Sequence, residues 1–498
     1  MTTTPPAATR QHPAATAPAT ARPAPRSRRV PSAVAAVTFA AYTALALRKH
    51  MHFQTTGYDL GIFGQAVRSY AELRLPSSEI RTATGGPGLH GAGFPLLGDH
   101  FHPILATLAP LYRLLPHIEV LLVAQTALVA YSAYVITRAA ARHLGHLSRW
   151  AAPCLGSAYA LSWPLQQLIG FDFHEVAFAV PLLALALAAY LDGRWTAAAG
   201  WAAPLLLVKE DMGLTVLAFG LLLLRHHRRA GAVLCVLGPA AMALTVCVII
   251  PHFNPDGSYA YLAPGTSGDG PLAPLSQPWE AVRRLVTPGT KALTVLMLLL
   301  PSALLAPRSP LVLLAAPTLL WRLASDNPAY WGTQYHYSAI LAPIVFAALI
   351  DALTRISRSR PRHGPTLTRT VTAAVPAIAL VATAGFPLSQ VATTQLWQGT
   401  ARTAAGQAAL DRIPDGARVM ASNSLAPHLT DRATVYLTAP GVLQQQRRPI
   451  DWIIADTTDR WPQGWAKAVL HQATAAGYEQ IFAEHGYLVL HRQQHTAR

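Results

Sequence analysis

The sequence predicts a mainly α-helical polytopic membrane protein of about eleven transmembrane helices, followed by a small C-terminal extracytoplasmic α/β domain. Three observations predict it. Of 498 residues, 52% are hydrophobic and 12% charged, against roughly 25% charged in a soluble protein. Apolar runs recur from residue 30 to residue 389, separated by short arginine-bearing loops. Beyond residue 390 the chain turns polar, with short β-rich runs at 417–422, 433–437 and 451–456 separated by helical stretches, the pattern of mixed strands and helices.

Composition also excludes classes. Lys plus Arg outnumber Asp plus Glu, 39 to 23, but the excess sits in short clusters between apolar runs, where topology signals belong. No basic stripe with interleaved aromatics is present, which argues against nucleic-acid binding. Cys154, Cys235 and Cys247 all lie inside apolar runs without CxxC spacing, so they read as small core residues rather than a disulfide framework or thiolate metal site.

Residues 1–29, rich in Ala, Pro and Thr with Arg10, Arg22, Arg26, Arg28 and Arg29, cannot bury a core and are expected to form a disordered basic cytoplasmic tail. The run 30–47 ends in Ala44-Leu45-Ala46, which resembles a signal-peptide cleavage site; an uncleaved first helix is preferred because the topology then closes. Further apolar runs lie at about 118–137, 150–168, 176–191, 195–208, 212–224, 231–250, 291–306, 310–323, 337–352 and 370–389. Two of these, 195–208 and 212–224, are short enough to form a re-entrant hairpin instead, which leaves the parity unchanged. The Pro-bounded segment 103–115, interrupted by Arg113, reads as an interfacial helix. The chain thus divides into the tail, a transmembrane domain over 30–389 with a large first outer loop at 48–117, and residues 390–498.

Orientation follows from the short loops. Those on the side of the basic tail carry Arg138, Arg142, Arg149, Arg194, Arg225, Arg228, Arg229, Arg308, Arg355, Arg358, Arg360, Arg362 and Arg369. The opposite side, apart from the long first loop, carries only Lys209, Arg283, Arg284, Lys291 and Arg322. The positive-inside rule then places the amino terminus in the cytoplasm of a multi-pass plasma-membrane protein, with the first loop and residues 390–498 outside.

So oriented, the outer helix ends gather the chain's acids and histidines. After the first helix come Asp59, Asp99, His100 and His102; after the third, Asp172, His174 and Glu175; after the fifth, Lys209, Glu210 and Asp211; before the tenth, Tyr335 and His336. Ionisable groups at the hydrocarbon edge are costly unless paired or facing a wet cavity, so such a cluster marks a candidate site. The plainer alternative is that each is a solvated loop residue, and Lys209 with its acidic neighbours could be a self-neutralising pair. His100 and His102 at i, i+2 point to opposite faces of an extended chain, which disfavours joint metal ligation, and no metal ligand is assigned. His226 and His227 read as loop residues.

The run Tyr58-Asp59-Leu60-Gly61-Ile62-Phe63-Gly64-Gln65, then Asp99-His100-Phe101-His102-Pro103-Ile104, Phe171-Asp172-Phe173-His174, Lys209-Glu210-Asp211-Met212-Gly213-Leu214 and Tyr335-His336-Tyr337 resembles a family of bacterial multi-spanning membrane proteins, domain-of-unknown-function family 2079. The match covers about residues 32–450, and the order of motifs is specific to that family. The family in turn resembles, more distantly, the GT-C glycosyltransferases, which use polyprenyl-phosphate sugars and keep an essential acidic residue in the first outer loop. Asp59 stands where that residue would be. The resemblance implies a GT-C-like transmembrane domain, with Asp59, Asp99 and Asp172 as the acidic catalytic set. It implies that His100, His102, His174, Glu175, Lys209, Glu210, Asp211, Tyr335 and His336 line the donor and substrate pocket. GT-C enzymes often carry paired acids in that loop. Here Leu60 follows Asp59, so its partner must be Asp99 or come from another loop.

The function these features imply is transfer of a sugar from a polyprenyl-phosphate donor in the bilayer to an extracytoplasmic acceptor, the donor being a co-substrate; a divalent metal is left open. The alternative is a transporter or flippase of ions or lipid-linked substrates, for which the inner helix halves are too apolar.

Overall fold

The computed structural model describes residues 26–84, 93–262, 278–446, 448–459 and 463–493. Of the tail expected to be disordered, residues 1–25 lie outside the described residues, and Arg26–Arg29 form the first turn of a helix instead. Among the described residues five helical stretches are long and apolar enough to cross a membrane: Arg28–Met51, Glu119–Leu144, Arg228–Phe253, His336–Ser359 and Gly364–Thr383. Shorter apolar helices cover Glu175–Leu191, Trp195–Leu207, Met212–Leu224, Thr290–Ser302 and Pro310–Ala324. Length and composition thus mark five candidate spans among the described residues, where the apolar runs suggested about eleven. The run at 150–168 shows why: it breaks at Leu161–Ser162, where Pro164 starts a new helix and cannot continue the old one.

For the site the helices that matter are α1 (Arg26–Met51), α2 (Ile62–Ala71), α3 (Glu119–Leu144), α4 (Ala151–Ala160), α5 (Trp163–Gly170) and α6 (Ala179–Leu191). With them go α7 (Met212–Leu224), α8 (Arg228–Leu244), α9 (Leu341–Ser359) and α10 (Gly364–Thr383). Their common core is apolar: Leu45, Val129, Leu155, Leu183, Phe219 and Leu349 are all fully buried. Buried polar groups within it bond across helices, as they must where no water competes. Tyr42 Oη donates to the Ala160 carbonyl at 2.5 Å, Thr43 meets Thr126 at 2.8 Å, and Tyr159 Oη donates to Ser132 at 2.9 Å.

Local chemistry sets several ends. Gly193, at φ +71°, closes α6, and Arg194 N–H returns to the Ala189 carbonyl at 2.9 Å. His227, expected as an idle loop residue, caps α8 by accepting from Ala230 N–H at 3.1 Å. Past α8 the chain widens into a π-turn over Thr245–Ile249 ahead of Pro251, which cannot donate to the carbonyl four residues back. The segment 103–115 forms a 3-10 turn, Pro103–Leu108, and a short helix, Ala109–Leu114. None of the three cysteines is a core residue: Cys154 and Cys235 are half-buried and Cys247 is exposed.

The C-terminal part carries a five-stranded sheet of β1 (Arg418–Ala421), β2 (Thr434–Leu437), β3 (Trp452–Asp456), β4 (Tyr478–Glu484) and β5 (Tyr487–Arg492), in the order β2-β1-β3-β5-β4. The first three strands are parallel and the last two antiparallel. Helix Trp465–Ala475 lies between β3 and β4 and buries Val469 and Ala473 beside Ile453 and Leu490. This unit grips the first loop: Asn423 accepts from Gly57 N–H through its carbonyl (2.7 Å) and from Tyr58 N–H through its side chain (2.9 Å). Gln65 donates to the Val435 carbonyl at 3.0 Å, and Arg68 to those of Thr430 and Ala433 at 3.1 Å.

The α7–α8 pair approaches closely because glycines line its seam. A Cβ on Gly238 would lie 2.5 Å from the Gly213 carbonyl oxygen, and one on Gly220 would lie 2.8 Å from Cys235 N. Gly238→Val should destabilise the detergent-solubilised protein by about 1–3 kcal/mol through forced separation of the helices. Gly200→Ala, where nothing lies within 4 Å, should leave the apparent Tm unchanged in the same thermal-shift experiment; equal Tm values for both variants would refute the close-packed seam.

Candidate active site

The first loop turns sharply straight after α1. Gly57–Gly61 forms a π-turn closed by Gly61 N–H to the Thr56 carbonyl at 3.1 Å, and Gly57 is needed there because a Cβ would sit 2.6 Å from that of Ala426. The turn aims Asp59 at the loop after α5. That loop holds Asp172 at φ +89°, a left-handed conformation that costs a non-glycine residue of order 1 kcal/mol. Gln125 on α3 fixes it from below, donating to the Asp172 carbonyl at 2.6 Å and accepting from His174 N–H at 2.9 Å. Lys49 Nζ, on α1, donates to the carbonyl of Gly170.

The two carboxylates share Thr56. Its hydroxyl donates to Asp172 Oδ2 at 2.7 Å and lies 3.4 Å from Asp59 Oδ2, and its backbone N–H donates to Asp172 at 2.8 Å. The single hydroxyl proton goes to the nearer oxygen, so Asp172 holds the better bonds. Burial and the nearby Asp172 and Glu175 charges push Asp59 up to about 8, against the pull of the Thr56 bond and Lys209. Burial raises Asp172 to about 7 against the pull of Thr56 and Lys49. Asp59 thus finds its acidic neighbour on another loop. Asp99, the other candidate, stands apart: Arg81 donates to both its oxygens, at 2.9 and 3.0 Å. Burial opposes its ionisation, yet His100 and this Arg81 fork hold Asp99 below the ordinary carboxylate range.

His174 faces Asp59 from the other side. Its Nε2 lies 3.8 Å from Asp59 Oδ1, too far for a hydrogen bond, and finds no partner among the described residues. Burial lowers its pKa to about 4, so the ring is neutral at pH 7. It stacks on His336 at 3.5 Å between ring centres, and Phe171 packs on His174 at 5.5 Å and edge-on to Tyr335 at 4.7 Å. Asp59 keeps 22% of its side chain exposed against 5% for His174, so the gap between them opens toward the carboxylate.

Lys209 is the cation of the cluster. It pairs at 3.0 Å with Glu175, across two loops and not with its sequence neighbours. Burial would strip its proton, but Glu175, Glu210 and Asp211 outweigh that and hold its pKa well above the usual lysine value. Asp211 has an unpartnered Oδ1 and, chiefly through burial, rises to about 6. Glu210 clamps instead of opening to the gap: it takes His100 Nδ1 at 2.7 Å, Tyr259 Oη at 2.8 Å and Phe101 N–H at 3.1 Å. Burial works against the His100 imidazolium, but Glu210 raises its pKa; burial lowers that of His102, whose Nδ1 has no partner and whose ring meets Phe63. The i, i+2 histidines thus go separate ways. Among the described residues no three His, Cys, Asp or Glu side chains converge in a metal-binding arrangement, so no step is derived through a metal.

Asp59, Asp172, His174, Glu175, Lys209, Tyr335 and His336 therefore meet in one place, with Asp211 beside them, while Glu210, His100 and Asp99 lock the loop that covers it. Sequence reading missed Thr56, Gln125, Arg81, Tyr259 and Arg322. Gln125 was legible as a polar residue inside an apolar run. Arg322, only 1% exposed, donates to the Tyr330 and Tyr337 carbonyls at 2.6 and 3.1 Å and holds the Tyr335–Tyr337 strip in place. Thr56 and Tyr259 gave no signal, since loop hydroxyls are common.

Removing one member of a buried pair strands the other charge, at a cost of about 3–5 kcal/mol, whereas removing both is far milder. Lys209→Met should therefore lower the apparent Tm sharply and Lys209→Met/Glu175→Leu should recover most of it. A double variant no more stable than the single would show that the pair does not hold the two loops together. Asp59 has the opposite sign. Its folded pKa is raised, so its contribution is present at low pH and lost as pH rises through about 8. Asp59→Asn should gain on the parent as pH rises from about 5 to about 8 and keep that advantage without further gain above pH 8; a loss of Tm that grows with pH would contradict this.

No curated protein matches the chain by sequence. Among solved structures, ArnT from Cupriavidus metallidurans bound to undecaprenyl phosphate is similar at a TM-score of 0.55 and 13% identity, covering 93% of this chain and 97% of that one. At that identity the likeness shows the fold alone. The family described as "Predicted membrane protein (DUF2079)" matches residues 49–489. The chain belongs to that family.

Proposed function

We propose that the protein is an integral membrane glycosyltransferase that moves a sugar from a polyprenyl-phosphate donor to an acceptor hydroxyl on the extracytoplasmic side. The observation that carries the reading is the 3.8 Å gap between Asp59 Oδ1 and His174 Nε2, a half-buried carboxylate and a buried imidazole without a bond between them, set beside an obligate cation. The ArnT likeness supports it, since that protein was bound to undecaprenyl phosphate.

In this reading the acceptor hydroxyl enters the gap and gives its proton to Asp59. Its oxygen attacks the anomeric carbon, the bond from that carbon to the phosphate oxygen breaks, and the polyprenyl phosphate leaves with inverted configuration at the sugar. Lys209 faces the departing phosphate. Neutral His174 orients the hydroxyl by accepting from or donating to it, and His336 and Phe171 fix the imidazole by stacking. Asp172 keeps Asp59 basic by repelling its charge. Asp99, His100 and Glu210 position the loop. The arginine-rich loops support a cytoplasmic amino terminus in the plasma membrane, which places the site and residues 390–498 outside, with the C-terminal sheet helping to bind the acceptor.

The test is transfer by purified protein from a panel of polyprenyl-phosphate sugars, followed as released polyprenyl phosphate. Asp59→Asn should reduce turnover by about 10²–10⁴-fold. Only ionised Asp59 can take the proton, so kcat/KM should climb with pH and level off above about 8. Asp172→Asn removes a charge that raises the Asp59 pKa, so this rise should move to lower pH. Full turnover in Asp59→Asn, or a pH profile indifferent to both substitutions, would remove the carboxylate from the reaction.

A further inference from the structure

A cavity of about 760 Å³ lies at the far end of the bundle from the site. It is formed where the turn after α3 (Leu144 to Trp150) meets the start of α4 and the first turns of α10. Gln125, which fixes the Asp172 loop, and Leu144, which begins the turn, are separated along α3 by nearly the whole helix, roughly 30 Å at its rise per residue. The cavity and the Asp59 site thus lie at opposite ends of the helices. A volume of this size is in the range of small-ligand sites.

Its lining has one sign of charge. Arg149 and Arg369 both face it, with His146 beside them and no carboxylate. Neither arginine makes a hydrogen bond or ion pair among the described residues. That is unlike Arg142 and Arg355 at the same end, which pair with Asp192 at 2.9 Å and Asp351 at 2.6 Å. Arg149 lies 5.3 Å over the ring of Trp150, itself 58% exposed, the amphipathic pairing found where a headgroup meets acyl chains.

A second and independent observation lies deeper. Thr372 lines the cavity, is 1% exposed, and its hydroxyl has no hydrogen-bond partner among the described residues. Threonines in the same helix satisfy themselves by donating to the carbonyl four residues back: Thr368 to Gly364 at 2.9 Å and Thr383 to Ala379 at 2.8 Å. Thr372 does not, and a buried hydroxyl left unpaired costs of order 1–3 kcal/mol.

We propose that this cavity binds the phosphate headgroup of an anionic membrane lipid, the two guanidinium groups holding the phosphate, Thr372 donating one hydrogen bond from beneath, and Trp150 lying along the acyl chains. The site joins α3, α4 and α10 at the arginine-rich end and is independent of the transfer reading. Native mass spectrometry of the full chain in mild detergent tests it, with dioleoylphosphatidylglycerol titrated against dioleoylphosphatidylcholine. The parent should retain phosphatidylglycerol selectively. Arg149→Gln/Arg369→Gln should weaken that binding roughly thirtyfold, from two arginine contributions, and Thr372→Val about fivefold, from one hydrogen bond. Arg355→Gln should not change it. Equal retention of the two lipids, a Thr372→Val variant that binds like the parent, or an Arg355→Gln variant as weakened as the double would reduce the cavity to an unspecific basic surface and overturn the proposal. Displacement of the lipid by millimolar inorganic phosphate would overturn it in favour of a soluble anion.

Discussion

The Lys209–Glu175 ion pair is the contact on which the site depends. Two charges taken from water at the hydrocarbon edge persist only if each compensates the other, and here the partners come from different loops, so the pair also ties the loop before α7 to the loop before α6. With that cation in place, Asp59 and Asp211 can each lie near Glu175 without expelling the loops that carry them. The raised affinities of Asp59, Asp172 and Asp211 for protons are the cost first of burial, to which neighbouring carboxylates add at Asp59 and Asp211. The same cost makes Asp59 a stronger base than a solvated aspartate, which is the chemistry a hydroxyl acceptor requires.

A second layer holds the first. The π-turn that aims Asp59 is fixed by Asn423 and by close approach to Ala426, both from the C-terminal part. His50 at the end of α1 stacks on His428 at 3.9 Å across the same seam. Asp59 is thus aimed by residues more than three hundred positions away, and Glu210 pins the first outer loop through His100 and Phe101 and the stretch after α8 through Tyr259. Static carboxylates on clamped loops suit a reaction whose barrier falls mainly by positioning and electrostatics. The other end of the bundle has a different chemistry, with unpaired arginines around an unpaired threonine, and the two ends share only the rigid helices between them.

Much of this was legible in the sequence and some was not. The outer-end cluster was visible because charge is costly at the hydrocarbon edge, so Asp172, His174, Glu175 and Lys209 stood out against leucine and alanine. The β-rich runs near 418, 434 and 452 showed through their alternation and coincide with β1, β2 and β3. Pairing was illegible. Lys209 sits next to two carboxylates in the chain and bonds to a third, and Asp99 reads like Asp59 until Arg81 is seen at its oxygens, because contacts between loops leave no period in a sequence. Span count was legible only coarsely: apolar composition marks where helices lie, while prolines such as Pro164 and left-handed residues such as Ala303 cut them to lengths that hydropathy does not reveal.

The central claim is that a lipid phosphate sits against Lys209 with Asp59 and His174 beyond it. The most direct measurement is a cryo-EM structure of the protein saturated with undecaprenyl phosphate in lipid nanodiscs. The account predicts phosphate density within hydrogen-bond reach of Lys209 Nζ and an open path from it to the gap beside Asp59. Phosphate density that avoids Lys209, or a Lys209–Glu175 pair sealed from the lipid at saturation, would contradict it.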